Sequence, residues 1–262
     1  MSFNFHYDRK KYFDQQYQNT KKYIVPFLIN TIDFTNKNVL EVGCGEGGVL
    51  KAFYELGCNI TGIDLASNKI ENANKYYLKI NAKNTYKFIA DDIYNFDLNL
   101  LNTFDLIILK DAIEHIHHQN KLIQFLSENL KKNCKLFIAF PPWQMPWGGH
   151  QQICRNKFLS FVPYFHLFPN FFYKRILKLF GEEQSTIQSL LEIKETGISI
   201  ERFEQIIKKI SLSVSKKLFF FINPNYEVKF GLKPRLQNSL ISKIPYLRGF
   251  FTTTCYYLIE KK

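Results

Sequence analysis

The sequence predicts an α/β protein with a mostly parallel sheet and helices on both faces. Short apolar runs alternate with amphipathic helical patterns between residues 38 and 140, as is typical of successive βαβ units. The runs are rich in β-branched and aromatic residues, which indicates strands that are buried on both faces. The 262-residue length fits one elaborated domain, residues 1–262, better than two domains.

Five strands are predicted in the first half of the chain, at residues 38–42, 59–64, 86–90, 104–110 and 135–140. Between them, helical periodicity predicts helices at residues 48–56, 68–80 and 120–130. A further helix is predicted before the first strand, at about residues 16–30. These elements account for the regular part of the chain.

The pattern changes after residue 140, where prolines and glycines interrupt helix and strand periodicity. We predict a lid-like insertion at residues 141–198 that stays irregular and aromatic to about residue 180. A helix at residues 199–210 follows, with Ser199 as its N-cap. Two last strands are predicted at residues 217–222 and 252–259.

The net charge of +12 is concentrated in the second half, where residues 141–262 hold 18 Lys+Arg and 8 Asp+Glu. Such asymmetry favours an anionic partner, either nucleic acid or an acidic membrane surface; a solvated basic surface is the plain alternative. The five scattered cysteines suggest neither a disulfide framework nor a zinc site. With a polar N-terminal stretch and no long apolar run, the chain is predicted to be cytoplasmic, with peripheral membrane contact left open.

A glycine-rich turn follows the first predicted strand, in the sequence V-L-E-V-G-C-G-E-G-G that ends at Gly48. Glycines at this place allow positive φ and let a ligand approach the backbone closely. The spacing of Gly43, Gly45 and Gly48 also fits a dinucleotide-binding fingerprint. Asp64, at the end of the second strand, is placed to accept ribose hydroxyls in either case. Glu41 argues against a dinucleotide, because an acid inside the first strand suits the ammonium group of an amino-acid portion and not a pyrophosphate.

Four segments together resemble the successive motifs of class I S-adenosylmethionine-dependent methyltransferases: E-V-G-C-G-E-G, G-I-D-L, A-D-D-I and F-D-L-I-I-L-K-D-A-I-E-H-I. They are most similar to the small-molecule group with an E-H-I signature, and the match covers about residues 36–141. The resemblance implies a Rossmann-like, seven-stranded sheet whose last strand is antiparallel. It also implies S-adenosyl-L-methionine as the cofactor.

Carried over by position, the resemblance implies cofactor contacts from ten residues: Glu41, Gly43, Cys44, Gly45, Asp64, Leu65, Asp92, Ile93, Lys110 and Asp111. The glycine-rich turn would face the methionine and ribose portion, with Glu41 orienting the ammonium group. Asp64 would hold the ribose. Asp92, in preference to Asp91, would hold the adenine amino group, and the hydrophobic residue after each of these acids would cover the ring. Lys110 and Asp111 would face the sulfonium.

A hydroxyl acceptor must lose its proton, and histidine is the usual base near neutral pH. Two candidates follow the fourth and fifth strands, His115 and His150. The alternative for each is a structural role, as a packed helix residue for His115 and as part of a turn held by tryptophans for His150. Catechol-type enzymes place paired acids after these strands for a divalent ion, and only Asp111 would contribute here. No metal is therefore predicted.

We predict methyl transfer, with O-methylation first, to a small or lipid-like acceptor. The aromatic stretch at residues 158–180 supports this acceptor class as a hydrophobic lid, or as an element that rests on an anionic membrane. An RNA methyltransferase that uses the basic second half is an alternative. A non-catalytic partner-binding module of the same fold is another, although the acids at Glu41, Asp64 and Asp92 argue against it.

Overall fold

A computed structural model describes residues 8–80, 84–210 and 212–261. Residues 1–7, part of the polar N-terminal stretch considered above, lie outside this range. Eight strands are present in the described part: β1 (Asn38–Val42), β2 (Asn59–Asp64), β3 (Tyr86–Ala90), β4 (Leu106–Lys110), β5 (Lys135–Phe140), β6 (Leu212–Ile222), β7 (Arg235–Leu236) and β8 (Thr254–Lys261).

The eight strands form one sheet in the order β3-β2-β1-β4-β5-β8-β6-β7. Strands β1 to β5 are parallel, whereas β8 runs antiparallel to both β5 and β6. The strand order reverses between β1 and β4, and open α/β sheets bind ligands in the crevice at the carboxyl ends beside such a reversal. The topology therefore directs attention to the turns that follow β1 and β4.

The described part of the chain has eleven α-helices: α1 (Arg9–Asn19), α2 (Val25–Leu28), α3 (Gly48–Glu55), α4 (Ser67–Tyr77), α5 (Leu98–Leu101), α6 (Gln119–Asn129), α7 (Lys157–Phe161), α8 (Asn170–Leu179), α9 (Gln184–Thr196), α10 (Ile200–Lys209) and α11 (Asn225–Phe230). The buried residues form one large cluster on each face of the sheet. Among these helices none has the length and apolar character needed to cross a bilayer.

The ends of two helices follow from single residues. Ser199 caps α10, as predicted, because its Oγ accepts a hydrogen bond of 3.0 Å from the Arg202 amide. Gly48, at the start of α3, permits the N-terminal helix to approach: a Cβ there would lie 2.5 Å from the Phe13 carbonyl oxygen. The first predicted helix begins earlier than expected, at Arg9, so α1 reaches across the glycine-rich turn.

The expectation of an irregular stretch up to about residue 180 is wrong. Helices α7, α8 and α9 occupy much of the insertion and surround a small core of their own. Each short helix buries few side chains, for example Tyr173 and Leu177 in α8, so the apolar period is brief and the neighbouring aromatic residues obscure it. Helix α9 also contacts the start of α6, where the Gln119 side chain donates to the Thr196 carbonyl.

The sheet has one strand more than predicted. The extra strand, β7, has two residues and pairs with β6 at the edge of the sheet. It belongs to the long connection between β6 and β8, which also contains α11. So short a strand has no alternating pattern that sequence analysis can detect.

Candidate cofactor and acceptor site

The turn after β1 exposes its backbone at the reversal of strand order. Gly43, Gly45 and Gly47 have φ values of 76°, 53° and 79°, which glycine adopts without steric cost. The amides of Gly43 and Cys44 donate to the Ile63 carbonyl at 2.8 and 3.1 Å, which ties the turn to β2. Gly43 is exposed, and a Cβ on it would lie 3.0 Å from the Cβ of Ala112. The turn thus has the close backbone approach that a bound ligand requires.

Asp64 is fixed at the end of β2 by two backbone donors. Its Oδ2 accepts from the Gly45 amide and its Oδ1 from the Ala66 amide, both at 2.9 Å. Each carboxylate oxygen has two lone pairs, so both retain one for a ligand hydroxyl. The next side chain, Leu65, is 76% exposed, and it is free to cover a flat ring.

The acids after β3 have different local roles. Asp91 is exposed, and its Oδ1 accepts from the Asp92 amide and from the Asn95 side chain. Asp92 caps the short turn that follows, with Oδ1 accepting from the Tyr94 amide at 3.0 Å. Ile93 is only 7% exposed and packs in the core. Ligand contacts of Asp92 and Ile93 remain predictions.

Glu41 and Lys110 bring two buried ionisable groups to the centre of the sheet. Glu41 is 2% exposed, and its Oε2 has no hydrogen-bond partner among the described residues. Burial raises the pKa of Glu41 well above its ordinary value, and the nearby Lys110 ammonium opposes that shift. Lys110 Nζ donates to Gln16 Oε1 at 2.7 Å and to Asp111 Oδ2 at 2.5 Å. The unpartnered Glu41 oxygen is therefore available to a cationic ligand group.

Asp111 stands at the end of β4 in an uncommon conformation, with φ of 51°. Non-glycine residues adopt this region rarely, and it often marks functional sites. Although burial opposes ionisation, the Lys110 ammonium lowers the pKa of Asp111. Lys229 and His150 act on the same carboxylate in the same direction. Groups from several elements of the fold therefore stabilise the charge of the Asp111 carboxylate.

The two predicted histidines come together beside Asp111. The ring centroids of His115 and His150 are 4.9 Å apart, with the planes inclined at 74°. Burial lowers the pKa of His115, and Asp111 opposes that change. Gly149, the residue before His150, packs against the His166 side chain. The two histidines follow β4 and β5, which are adjacent and parallel, so the fold brings both to the same edge of the sheet.

Several residues of this site were missed in the sequence. Helix α1 contributes Tyr12 and Gln16, and α11 contributes Tyr226 and Lys229. Burial and the Asp111 charge raise the pKa of Tyr12 and raise that of Tyr226 to about 12, whereas burial lowers the pKa of Lys229. No motif marks these positions. The net positive charge of the second half predicts an anionic partner, but the proximity of Lys229 to Asp111 depends on the fold.

Comparison with known proteins identifies the family. The family model described as a methyltransferase domain matches residues 13–181, well over half of the chain. Ubiquinone biosynthesis O-methyltransferase of Pelagibacter ubique is 32% identical over 118 residues, which cover 44% of this chain and 48% of that protein. Sterol 4-C-methyltransferase strm-1 of Caenorhabditis elegans is 24% identical over 136 residues, covering 52% and 40%. The matches thus span less than half the length of these two relatives.

Among solved structures, magnesium protoporphyrin IX methyltransferase of Synechocystis PCC 6803 with bound S-adenosylhomocysteine superposes with a TM-score of 0.56. The superposition covers 94% of this chain and 84% of that one at 13% sequence identity, so the likeness concerns the fold. The chain therefore belongs to the methyltransferase-domain family and is, by family and fold, a member of the class I S-adenosylmethionine-dependent methyltransferases.

Proposed function

We propose that this protein methylates a hydroxyl group of a small or lipid-like acceptor. The observation that carries the proposal is the meeting of Asp111, His115 and His150 next to the exposed backbone of Gly43. The Gly43 side of this site suits the cofactor, and the histidine side suits an acceptor hydroxyl that must lose a proton. The name of the Pelagibacter relative, an O-methyltransferase, supports the same reaction class.

The residues on the cofactor side fit S-adenosylmethionine. Glu41 offers a buried, unpartnered oxygen for the ammonium group. Asp64 is held with lone pairs to spare for the ribose hydroxyls, and the turn at Gly43 and Gly45 leaves room for the methionine portion. When bound, this cofactor supplies a methyl group that is bonded to its sulfonium sulfur. Lys110 keeps Asp111 ionised and in place next to that region.

On the acceptor side, we assign activation of the hydroxyl to the histidine pair. His115 is the more open of the two, with 45% of its side chain exposed. Its lowered pKa keeps the imidazole neutral near pH 7, the form that accepts a proton or binds a cation. Lys229, half-buried beside Asp111, offers a positive charge to an anionic group of the acceptor.

The surface of the insertion supports a lipid-like acceptor delivered from a membrane. Phe158, Phe161, Phe171 and Phe172 are between 56% and 67% exposed. Helix α8 also carries three basic residues and no acidic one. Aromatic residues combined with basic ones are typical of helices that rest on anionic bilayers. We place the protein in the cytoplasm, where its five buried thiols, none in a disulfide, stay reduced.

The first test supplies pure protein and methyl-labelled S-adenosylmethionine to extract from cells that lack the gene. We expect label in the lipid or small-molecule fraction. The His150→Ala variant should lose at least tenfold in turnover and keep its S-adenosylhomocysteine affinity, while the matched exposed variant His117→Ala keeps both. Label in RNA, no label in any fraction, or full activity of His150→Ala would each contradict the proposal.

A further inference from the structure

Three side chains of the types that bind metal ions lie close together at the acceptor side of the site. One ligand atom from each of Glu114, His115 and His150 lies within 4.8 Å of the other two. Glu114 and His115 belong to the short turn at Ile113–His115 after β4, and His150 comes from the loop after β5. Two separate segments of the chain are thus needed to build the cluster.

The carboxyl group of Glu114 is buried and incompletely hydrogen-bonded. Glu114 is 5% exposed, and its Oε2 has no hydrogen-bond partner in the described part of the chain. Its Oε1 lies 3.9 Å from His115 Nε2. Burial and the neighbouring Asp111 both raise the pKa of Glu114 well above its ordinary value. A buried carboxyl group with an unpaired oxygen is costly, and a bound cation would remove that cost.

We propose that Glu114, His115 and His150 bind a divalent transition-metal ion, with Zn²⁺ as the best fit. Two imidazoles and one carboxylate form a donor set of catalytic zinc sites, which leave a fourth position open. Ligand atoms on one tetrahedral zinc ion lie roughly 3.3 Å apart, so the cluster needs only small side-chain rotations. The exposed face of His115 leaves the ion accessible.

The ion would hold the acceptor oxygen, and for this role the inference rests on the proposed function. Metal coordination lowers the pKa of a bound hydroxyl, whose proton passes to water. The new oxygen–carbon bond then forms as the carbon–sulfur bond breaks, and the sulfonium becomes a neutral thioether. The histidines are ligands in this scheme and not bases. It departs from the sequence prediction of no metal, which considered cysteine ligands and paired acids only.

The test begins with the whole 262-residue chain after chelator treatment and dialysis. Calorimetry with Zn²⁺ should give one site per chain, and Co²⁺ should give the visible absorption of a tetrahedral nitrogen–oxygen site. Glu114→Gln and His150→Ala should each weaken Zn²⁺ binding at least tenfold, while the exposed His117→Ala binds as the parent does. Melting curves check folding; Gln is nearly isosteric with Glu, so that variant is expected to fold.

Several results would overturn the site: no Zn²⁺ binding, binding that Glu114→Gln and His150→Ala leave unchanged, or equal weakening by His117→Ala. For the acceptor role, chelator should remove methyl transfer and Zn²⁺ should restore it; transfer that persists in the metal-free protein would overturn that role. Tight Zn²⁺ binding at the cluster in a protein that methylates no acceptor would uphold the site and refute the proposed function, so the two failures are distinguishable.

Discussion

At the scale of single residues, the site is a set of buried charged groups that are only partly paired. Lys110 donates hydrogen bonds to Gln16 and Asp111, but one oxygen of Glu41 and one of Glu114 have no hydrogen-bond partner among the described residues. Unpaired buried polar atoms are uncommon in proteins because desolvation is costly. Because two such atoms, on Glu41 in β1 and on Glu114 in the turn after β4, lie in the site, we propose that ligands complete it.

Asp64 gives the clearest residue-scale prediction. Asp64→Ala removes the acceptor for the ribose and also the anchor for the Gly45 amide. Hydrogen bonds to charged groups contribute about 1.5–3 kcal/mol, so S-adenosylhomocysteine affinity should fall roughly ten- to a hundred-fold. Calorimetry measures the affinity, and circular dichroism should show an intact fold. The exposed neighbour variant Asp91→Ala serves as the control and should bind normally; unchanged affinity of Asp64→Ala would refute the assignment.

At the scale of elements, the sheet presents the motifs and the helices close the site. β1 and β4 place the glycine-rich turn beside Asp111, because the strand order reverses between them. Helix α1 reaches Lys110 through Gln16, and α11 reaches Asp111 through Asn225, at 3.5 Å. Neither helix carries a recognisable motif, so their contribution depends on packing against the sheet.

Helix α8 yields the element-scale prediction. The protein should float with vesicles of anionic phospholipid and bind less well to zwitterionic ones, and added salt should weaken the binding by screening. The double variant Phe171→Ser/Phe172→Ser should bind at least tenfold more weakly, because each buried Phe contributes about 1.5–3 kcal/mol. The control is Leu78→Ser, a residue that is 76% exposed beyond the end of α4. Vesicle binding that is equal for parent and double variant would exclude α8 as the contact.

At the scale of the whole molecule, one polar network joins the last third of the chain. Glu204 of α10 accepts from Lys217 of β6 and Arg248 at 2.7 Å each, and from the Tyr257 hydroxyl of β8 at 2.9 Å. Arg248 Nε also donates to the buried Glu201 at 2.9 Å. The network fastens the connection between β6 and β8, and thereby the part of the chain that carries α11.

The network predicts a pH dependence of stability. Although burial alone would raise it, hydrogen bonds from Lys217 and Arg248 lower the pKa of Glu204 below its ordinary value of 4.5. The stabilisation is therefore complete above that value and is lost as the pH falls through the lower folded pKa. Urea unfolding of Glu204→Gln should show a smaller loss of stability than the parent protein as the pH falls from neutral into this acid range. The exposed variant Glu192→Gln should behave as the parent; identical slopes for parent and Glu204→Gln would contradict the prediction.

Much of the fold was predictable because its signals are local. Four of the first five strands have the predicted bounds, and β4 begins two residues later than expected, at Leu106. The helices of the insertion were missed because each buries only a few side chains. In the site, the glycine turn, Asp64 and His115 followed from motifs at the ends of strands, and His150 followed from its place in the loop after the fifth strand. Gln16, Tyr226 and Lys229 did not, since their own segments carry no pattern for ligand binding.

The sequence by itself determined the family, the positions of the parallel strands along the chain and the cofactor, because turns with positive φ and buried strands are encoded in contiguous residues. The tertiary structure decided which side chains meet. Glu114, His115 and His150 form one cluster only because β4 and β5 are adjacent and parallel, so that the loops after them emerge at the same edge of the sheet. Convergence of this kind depends on packing between distant segments, which no local pattern records.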